Sequence, residues 1–364
     1  MSFEIRQGSK LPETIDLEKY IHPQDKQKFA GFQTSGFRLL GIIDMHIHGS
    51  FGWDFSFGDF DRVNLLLDNL LAIGLTGVVP TLITCDNEKR VEALRVLKRV
   101  FETRKKPPLL HGIHLEGPFI SNEKRGAHRA ELLCKPSVDD FNSWQEASGG
   151  NIKIVTIAPE LPGAIEFIEA VSKTGVICSI GHSNATSDQT VMAIKAGARH
   201  VTHLFNAMPK LHHRNPNVLS AVLANQNISV EIIADGRHIS PDIVKFASNL
   251  YENEKIILIS DAIAPAGCEE GSFEFYGSTI EKKDGICYSE DGVIFGSGMT
   301  LVQSVGELCK KHDIQWGFIG TSVWRSPCLL LGIEPPDTEV IVDENMNWVA
   351  TRDKTTWYWN SEKE

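Results

Sequence analysis

Gly41-Ile42-Ile43-Asp44-Met45-His46-Ile47-His48-Gly49 is the stretch on which the fold turns. Its apolar residues predict a buried strand, and the period of two along a strand puts the imidazoles of His46 and His48 on one face. Two neutral imidazoles on one face can hold a divalent cation. A His-x-His pair is weak evidence alone, so the question is whether other strands supply partners.

Apolar runs bounded by Gly, Pro and polar clusters predict eight strands: Ile42 to His48, Gly77 to Thr84, Leu109 to Glu116, Ile152 to Ala158, Gly175 to His182, His200 to Phe205, Val230 to Asp235 and Lys255 to Asp261. Helix-like stretches lie between them, at Asp61 to Ile73, Glu88 to Thr103, Pro162 to Lys173, Asp188 to Ala196 and Pro241 to Tyr251. Strands alternating with helices at this spacing predict an α/β fold, a (β/α)8 TIM barrel. A doubly wound open sheet is the alternative, but no Gly-x-Gly-x-x-Gly turn follows a strand. In a barrel the loops at the C-terminal strand ends converge on the active site. His46, His48, Glu116, His182, His203 and Asp261 all fall at such ends, a pattern that points to a metal-dependent hydrolase.

Each residue has a blander reading. Glu116 precedes Gly117-Pro118, a turn that fixes the carboxylate at the barrel mouth, though an ordinary loop acid would look the same. His114 shares its strand face, and packing inside the barrel is its expected role. Asp261 could cap the turn that follows it. His22, His111, His200, His212, His213 and His312 are expected to be surface or packing residues.

At 364 residues, 42% hydrophobic and 23% charged, the chain can bury a full core. A formal charge of -11 argues against a general nucleic-acid or membrane-surface binder. A phosphorylated small molecule needs only one or two local cations and stays open. Seven scattered cysteines without a Cys-x-x-Cys pair, no secretion signal and no long apolar run predict a reduced, soluble, cytoplasmic protein. The expected organisation is a barrel over 41–333 with a small β-rich appendage formed by 1–40 and 334–364, where strand-like stretches follow Pro335-Pro336.

Seven motifs then accumulate in order: His-x-His-Gly at 46 to 49, Leu-Glu-Gly-Pro-Phe at 115 to 119, Lys-Arg-Gly-Ala-His at 124 to 128, Gly-His-Ser at 181 to 183, Thr-His-Leu-Phe-Asn-Ala-Met at 202 to 208, Ala-Asp-Gly-x-His at 234 to 238 and Ser-Asp-Ala-x-Ala-Pro-Ala-Gly at 260 to 267. In these the chain resembles the N-acetylglucosamine-6-phosphate deacetylases of the amidohydrolase superfamily. The resemblance implies hydrolysis of the acetamide of N-acetylglucosamine 6-phosphate to glucosamine 6-phosphate and acetate by metal-activated water. It implies Glu116, His182 and His203 as ligands of the common metal site, with His46 and His48 matching a pair found in members that hold a second ion. Asp261 matches the general acid/base and lies in the same metal cluster, and His128 matches a histidine beside the reacting amide. Ala127, Asn206, Ala207, Arg214 and His238 match substrate contacts, with Phe295 and Gly296 as weaker ones. Arg214 is donated by a neighbouring subunit in similar enzymes, which implies a homodimer. One or two divalent ions are implied, zinc first, with iron, manganese, cobalt or nickel also suited to these ligands.

The chain departs from the family pattern in three places. Leu40-Gly41 replaces a Pro-Gly, His212-His213-Arg214-Asn215 lacks the flanking glycines of relatives, and the two ends lack the usual β-sandwich signatures. Two other functions compete: a different amidohydrolase reaction, such as deacetylation of the galactosamine isomer or cyclic-amide hydrolysis, and a non-catalytic scaffold. Cyclic-amide members commonly carry a lysine carbamate where Glu116 stands, and a scaffold would have lost ligands that this chain keeps.

Overall fold

The computed structural model describes residues 5–8, 37–275, 278–290, 292–312, 314–343 and 347–360. Eight parallel strands form its centre: β1 (Ile43–Ile47), β2 (Gly77–Ile83), β3 (Ile113–Glu116), β4 (Ile152–Ile157), β5 (Ile177–Ile180), β6 (His200–Val201), β7 (Ser229–Ile233) and β8 (Ile256–Ile259). They pair in chain order, each with the next. The circle closes just past β8: the Asp261 N–H donates to the His46 carbonyl at 2.9 Å, and the His48 N–H to the Ala262 carbonyl at 2.8 Å. Asp44 reinforces the seam, accepting from the Ser260 hydroxyl at 2.5 Å and the Ser260 N–H at 3.2 Å. All eight expected strands are therefore present, and the closed circle excludes the open doubly wound sheet.

Helices cover the outside. Phe60–Leu71 begins on Asp59, whose side chain accepts from the Arg62 N–H, and it buries Val63, Leu66, Leu67, Leu70 and Leu71 against the barrel. Ser187–Ala196 starts with a full capping box between Thr186 and Gln189. Inside the barrel a separate apolar cluster includes Val79, Ile154, Ile177, Ile233, Ile257 and Ile259. Above it lies a polar layer in which His114 Nε2, Thr156 Oγ1, Thr202 Oγ1 and Ser179 Oγ form a chain of hydrogen bonds of 2.6 to 2.8 Å. His114 thus has the interior role expected of it. His200 is also an interior residue, fully buried.

The expected β-rich appendage is a five-stranded antiparallel sheet in the order Ile5–Gly8, Thr356–Asn360, Trp348–Asp353, Thr338–Val342, Phe37–Leu39. Both ends of the chain contribute to it, and His22 lies outside the described residues. A second antiparallel sheet was not expected: after β8 the chain makes four strands, Gly271–Phe275, Ser278–Lys283, Ile286–Ser289 and Ile294–Ser297. The last is tied to the barrel seam where Ser297 N–H donates to the Asp261 carbonyl at 2.9 Å. Burial alternates along Ser278–Lys283, but the two buried positions are Ile280 and Lys282, so an apolar period of two does not show in the sequence there. All seven cysteines are free, with Cys85, Cys178, Cys287 and Cys328 buried. No helix among the described residues is long and apolar enough to cross a membrane.

Candidate active site and metal centre

The six strand-end residues meet around the Glu116 carboxylate. Its Oε1 lies 3.0 Å from His203 Nε2, 3.1 Å from His182 Nε2 and 3.4 Å from His46 Nε2. Its Oε2 lies 3.1 Å from His48 Nε2 and 3.3 Å from His128 Nε2. Asp261 Oδ1 faces both His46 and His48 Nε2 at 3.4 Å. All are buried.

Local backbone geometry aims these groups. Gly117 has φ 84, and a Cβ there would lie 2.1 Å from Thr84 Oγ1, so only glycine lets the chain turn tightly after Glu116. His182, His203 and Asp261 are themselves left-handed, at φ 46, 27 and 51. Non-glycine residues persist in that region only where surrounding structure over-determines them, and such strain gathers at functional sites.

The imidazoles are held from behind. His46 Nδ1 lies 3.0 Å from Glu231 Oε2, and His182 Nδ1 lies 2.8 Å from the Lys124 carbonyl. Because a carbonyl only accepts, His182 Nδ1 carries the proton and its Nε2 presents a lone pair to the cluster. His203 Nε2 and His182 Nε2 approach to 3.0 Å, and His46 Nε2 and His48 Nε2 to 3.3 Å. Pairs of bare ring nitrogens this close repel unless a proton or a cation lies between them. The donor set of imidazole and carboxylate therefore fits a divalent cation. Three groups have ligand atoms within 4.8 Å of each other: His46, His48 and Asp261; Glu116, His128 and His182; and, beneath them, His46, His114 and Glu231.

The charges agree. Burial by itself would lower the His46 pKa, yet Glu116, Glu231 and Asp261 hold it well above the ordinary imidazole value. Burial works the same way on His48, and its hydrogen bonds to Asp261 and Glu116 override it, raising the pKa to about 9. Burial would raise Glu116, but His46, His128 and His182 keep it well below the usual carboxylate range. A cation entering such a site replaces protons on imidazole. His128 differs: burial pushes it down to about 4, so it is neutral. Its Nε2 lies 3.3 Å from Glu116 Oε2, which only accepts, so Nε2–H points at the cluster, while Nδ1 lies 2.8 Å from Thr84 Oγ1.

A cavity of about 350 Å³ opens above the cluster. Its lining includes His48, Glu116, Ala127, His128, His182, His203, Asn206, Ala207, His238, Asp261, Phe295 and Gly296. Ile83, Ile233, Ile263 and Ile294 give it apolar walls. His238 is fixed by Asp235, 2.6 Å away, which raises its pKa against the effect of burial. Of the expected site residues, His46 lies just beneath this lining and Arg214 lies apart, exposed, with its Nη1 2.8 Å from His213 Nε2. No Lys or Arg appears among the described residues that line the cavity.

Sequence reasoning missed two supports. Thr84 orients His128, and Glu231, a fully buried acid in the middle of β7, gathers His46, His200 and the His203 backbone. The signal for Glu231 was an acid inside the apolar run Val230-Glu231-Ile232-Ile233.

Among known proteins, no family model matches the chain. It is 33% identical over 339 residues to the N-acetylglucosamine-6-phosphate deacetylase of Bacillus subtilis, covering 92% of this chain and 85% of that protein. It is 33% identical to the enzyme of the same name from Caenorhabditis elegans, over 85% of this chain and 80% of that protein. Among solved structures, the Mycobacterium smegmatis N-acetyl-D-glucosamine-6-phosphate deacetylase, a mutant in complex with N-acetyl-D-glucosamine-6-phosphate, superposes with a TM-score of 0.82 at 29% identity, covering 90% of this chain and 89% of that one. The Thermotoga maritima enzyme gives 0.78 at 29% identity, over 88% of each chain.

Proposed function

Because the chain belongs to the N-acetylglucosamine-6-phosphate deacetylase family, we propose that it hydrolyses the acetamide of N-acetylglucosamine 6-phosphate to glucosamine 6-phosphate and acetate, as a metal-dependent enzyme. The observation that carries this reading is the convergence of four imidazoles and two carboxylates under a cavity walled with apolar groups. Glu116, His182 and His203 would hold one divalent ion, and His46 and His48 with Asp261 a second. When bound, the cation supplies Lewis acidity and acidifies water.

The protein's own groups account for the rest. Asp261 is kept ionised by His46 and His48 despite its burial, so it can accept the proton of the attacking water and pass it to the departing nitrogen. His128, neutral and held by Thr84, can donate Nε2–H to the carbonyl oxygen as negative charge grows there. His238 and the Asn206–Ala207 turn are placed to orient the sugar. The apolar walls exclude bulk water and strengthen these interactions.

Zinc is the ion we expect first, in a cytoplasmic homodimer. The dimer is supported by the lack of a Lys or Arg among the described residues of the lining, where a phosphate would call for a cation, and by Arg214 standing exposed on the surface. The chemistry belongs to the barrel at 41–333, with the appendage of 1–40 and 334–364 beside it. The galacto isomer is the alternative substrate. The test is acetate release from both isomers by protein of measured metal content. Metal-dependent preference for the gluco compound is expected, and no turnover of either by metal-replete protein would overturn the reading.

A further inference from the structure

Glu231 sits in the middle of β7 between Val230 and Ile232, fully buried. Burying a carboxylate is costly unless its oxygens are satisfied, and here both are. Oε2 faces His46 Nδ1 at 3.0 Å and accepts from the His203 backbone N–H at 3.2 Å. Oε1 faces His200 Nε2 at 3.0 Å. The three donors come from β1, from β6 and from the turn just beyond β6.

Each contact has a consequence at the cluster. With Nδ1–H donated to Glu231, Nε2, 3.3 Å from His48 Nε2 and 3.4 Å from Asp261, is the nitrogen left to face a cation. The bond to the His203 N–H pins a backbone with φ 27, and that turn brings His203 Nε2 within 3.0 Å of both His182 Nε2 and Glu116 Oε1. His182, by contrast, leans on the Lys124 carbonyl. Glu231 thus touches one residue of each proposed ligand set, His46 of one and His203 of the other.

We propose that Glu231 is a positioning residue shared by the two candidate metal sites: it fixes the tautomer of His46 and the backbone of His203, so that both sites depend on one buried carboxylate. His200, which looked like a packing residue, completes the arrangement by satisfying the second oxygen. The proposal rests on the metal-dependent reading of the site.

The test compares wild type, Glu231→Gln and Glu231→Met, each stripped with a chelator and titrated with zinc against a chromophoric competitor. Wild type should bind zinc. Glu231→Gln, the same shape without the charge, should stay folded by circular dichroism and bind every ion about 10–100-fold more weakly. Its kcat for acetate release should fall while KM stays within about twofold, because the group does not touch substrate. Zinc affinity equal to wild type in either variant would overturn the proposal, since Met fills the volume and would preserve a packing role. If the variants fail to fold, the wild type decides: with isotope-labelled histidine in the zinc-loaded protein, His46 should carry its proton on Nδ1 and not on Nε2, and the reverse would overturn the proposal. A wild type that takes up no zinc would overturn the metal-dependent reading itself, and this inference with it.

Discussion

Asp261 occupies a left-handed backbone position at the seam of the barrel, with its carboxylate 3.4 Å from the Nε2 atoms of His46 and His48. An amide at that position keeps the shape and loses the proton acceptor. Asp261→Asn is therefore expected to lower kcat by about 10²–10⁴-fold while a good part of the metal is retained, measured by acetate release alongside metal analysis. Retained turnover at normal metal content would remove Asp261 from its role as acid and base. At the same scale, His111 Nε2 is enclosed without a partner, and burial pushes its pKa down to about 4. The folded protein holds His111 neutral, whereas the unfolded chain protonates it below its ordinary value of 6.5. Stability is thus complete above pH 6.5 and falls as the pH drops towards 4, by up to about 1.4 kcal/mol per unit from this group. His111→Leu should unfold less steeply with acid over that window, as followed by urea melts at several pH values.

Elements position the site through close approaches of backbone. Gly49 ends the stretch that carries His46 and His48, and a Cβ there would lie 2.1 Å from the Trp53 carbonyl oxygen and 2.8 Å from the Asp54 Cα. Backbone cannot move aside as a flexible side chain can. Gly49→Ala is expected to destabilise the fold by about 1–3 kcal/mol and to lower metal content by displacing His48, checked by thermal melting and metal analysis of the same sample. The β8 end shows the same logic in reverse. The seam is made by Asp261, Ala262 and Ser260 against β1, so the acid proposed for the proton work is also a structural link in the barrel.

For the whole molecule, metal and assembly are the quantities to measure. Without a cation, the carboxylates of the cluster hold the pKa values of His46 and His48 up, His48 to about 9. Those protons must leave when a cation binds, so metal uptake should acidify a weakly buffered solution, and affinity should rise with pH up to about 9. Removing the ion with a chelator should lower the melting temperature, and reloading should restore it. At ion concentrations of about 1,000 times Kd the bound form is about 4 kcal/mol more stable. The dimer is tested by mixing: if Arg214 serves a neighbouring site, inactive Arg214→Ala and Asp261→Asn proteins should regain activity when their subunits are exchanged, because one site in each mixed dimer is intact. No recovery, with exchange verified, would place the phosphate cation elsewhere.

Local pattern disclosed the eight strands, five of the helices and the six residues at the barrel mouth, because the period of two along a strand and the turn chemistry after it are local properties, but not the helices Val138–Ala147, Val218–Ala224 and Leu301–His312. His46 and His48 share a face whatever the strand packs against. It also carried the β-strands of the tail, though not the four-stranded sheet after β8, where one of the inward-facing residues is Lys282. The tertiary structure alone decided which groups touch. Glu231 and His46 are 185 residues apart, and His203 and Glu116 are 87 apart. No window of sequence contains either pair. The left-handed turns at His182, His203 and Asp261 were equally hidden, since propensity argues against them and only the closed barrel holds the backbone there. Residue types near strand ends disclosed what chemistry was available, and closure of the barrel fixed the register that turned separate side chains into one site.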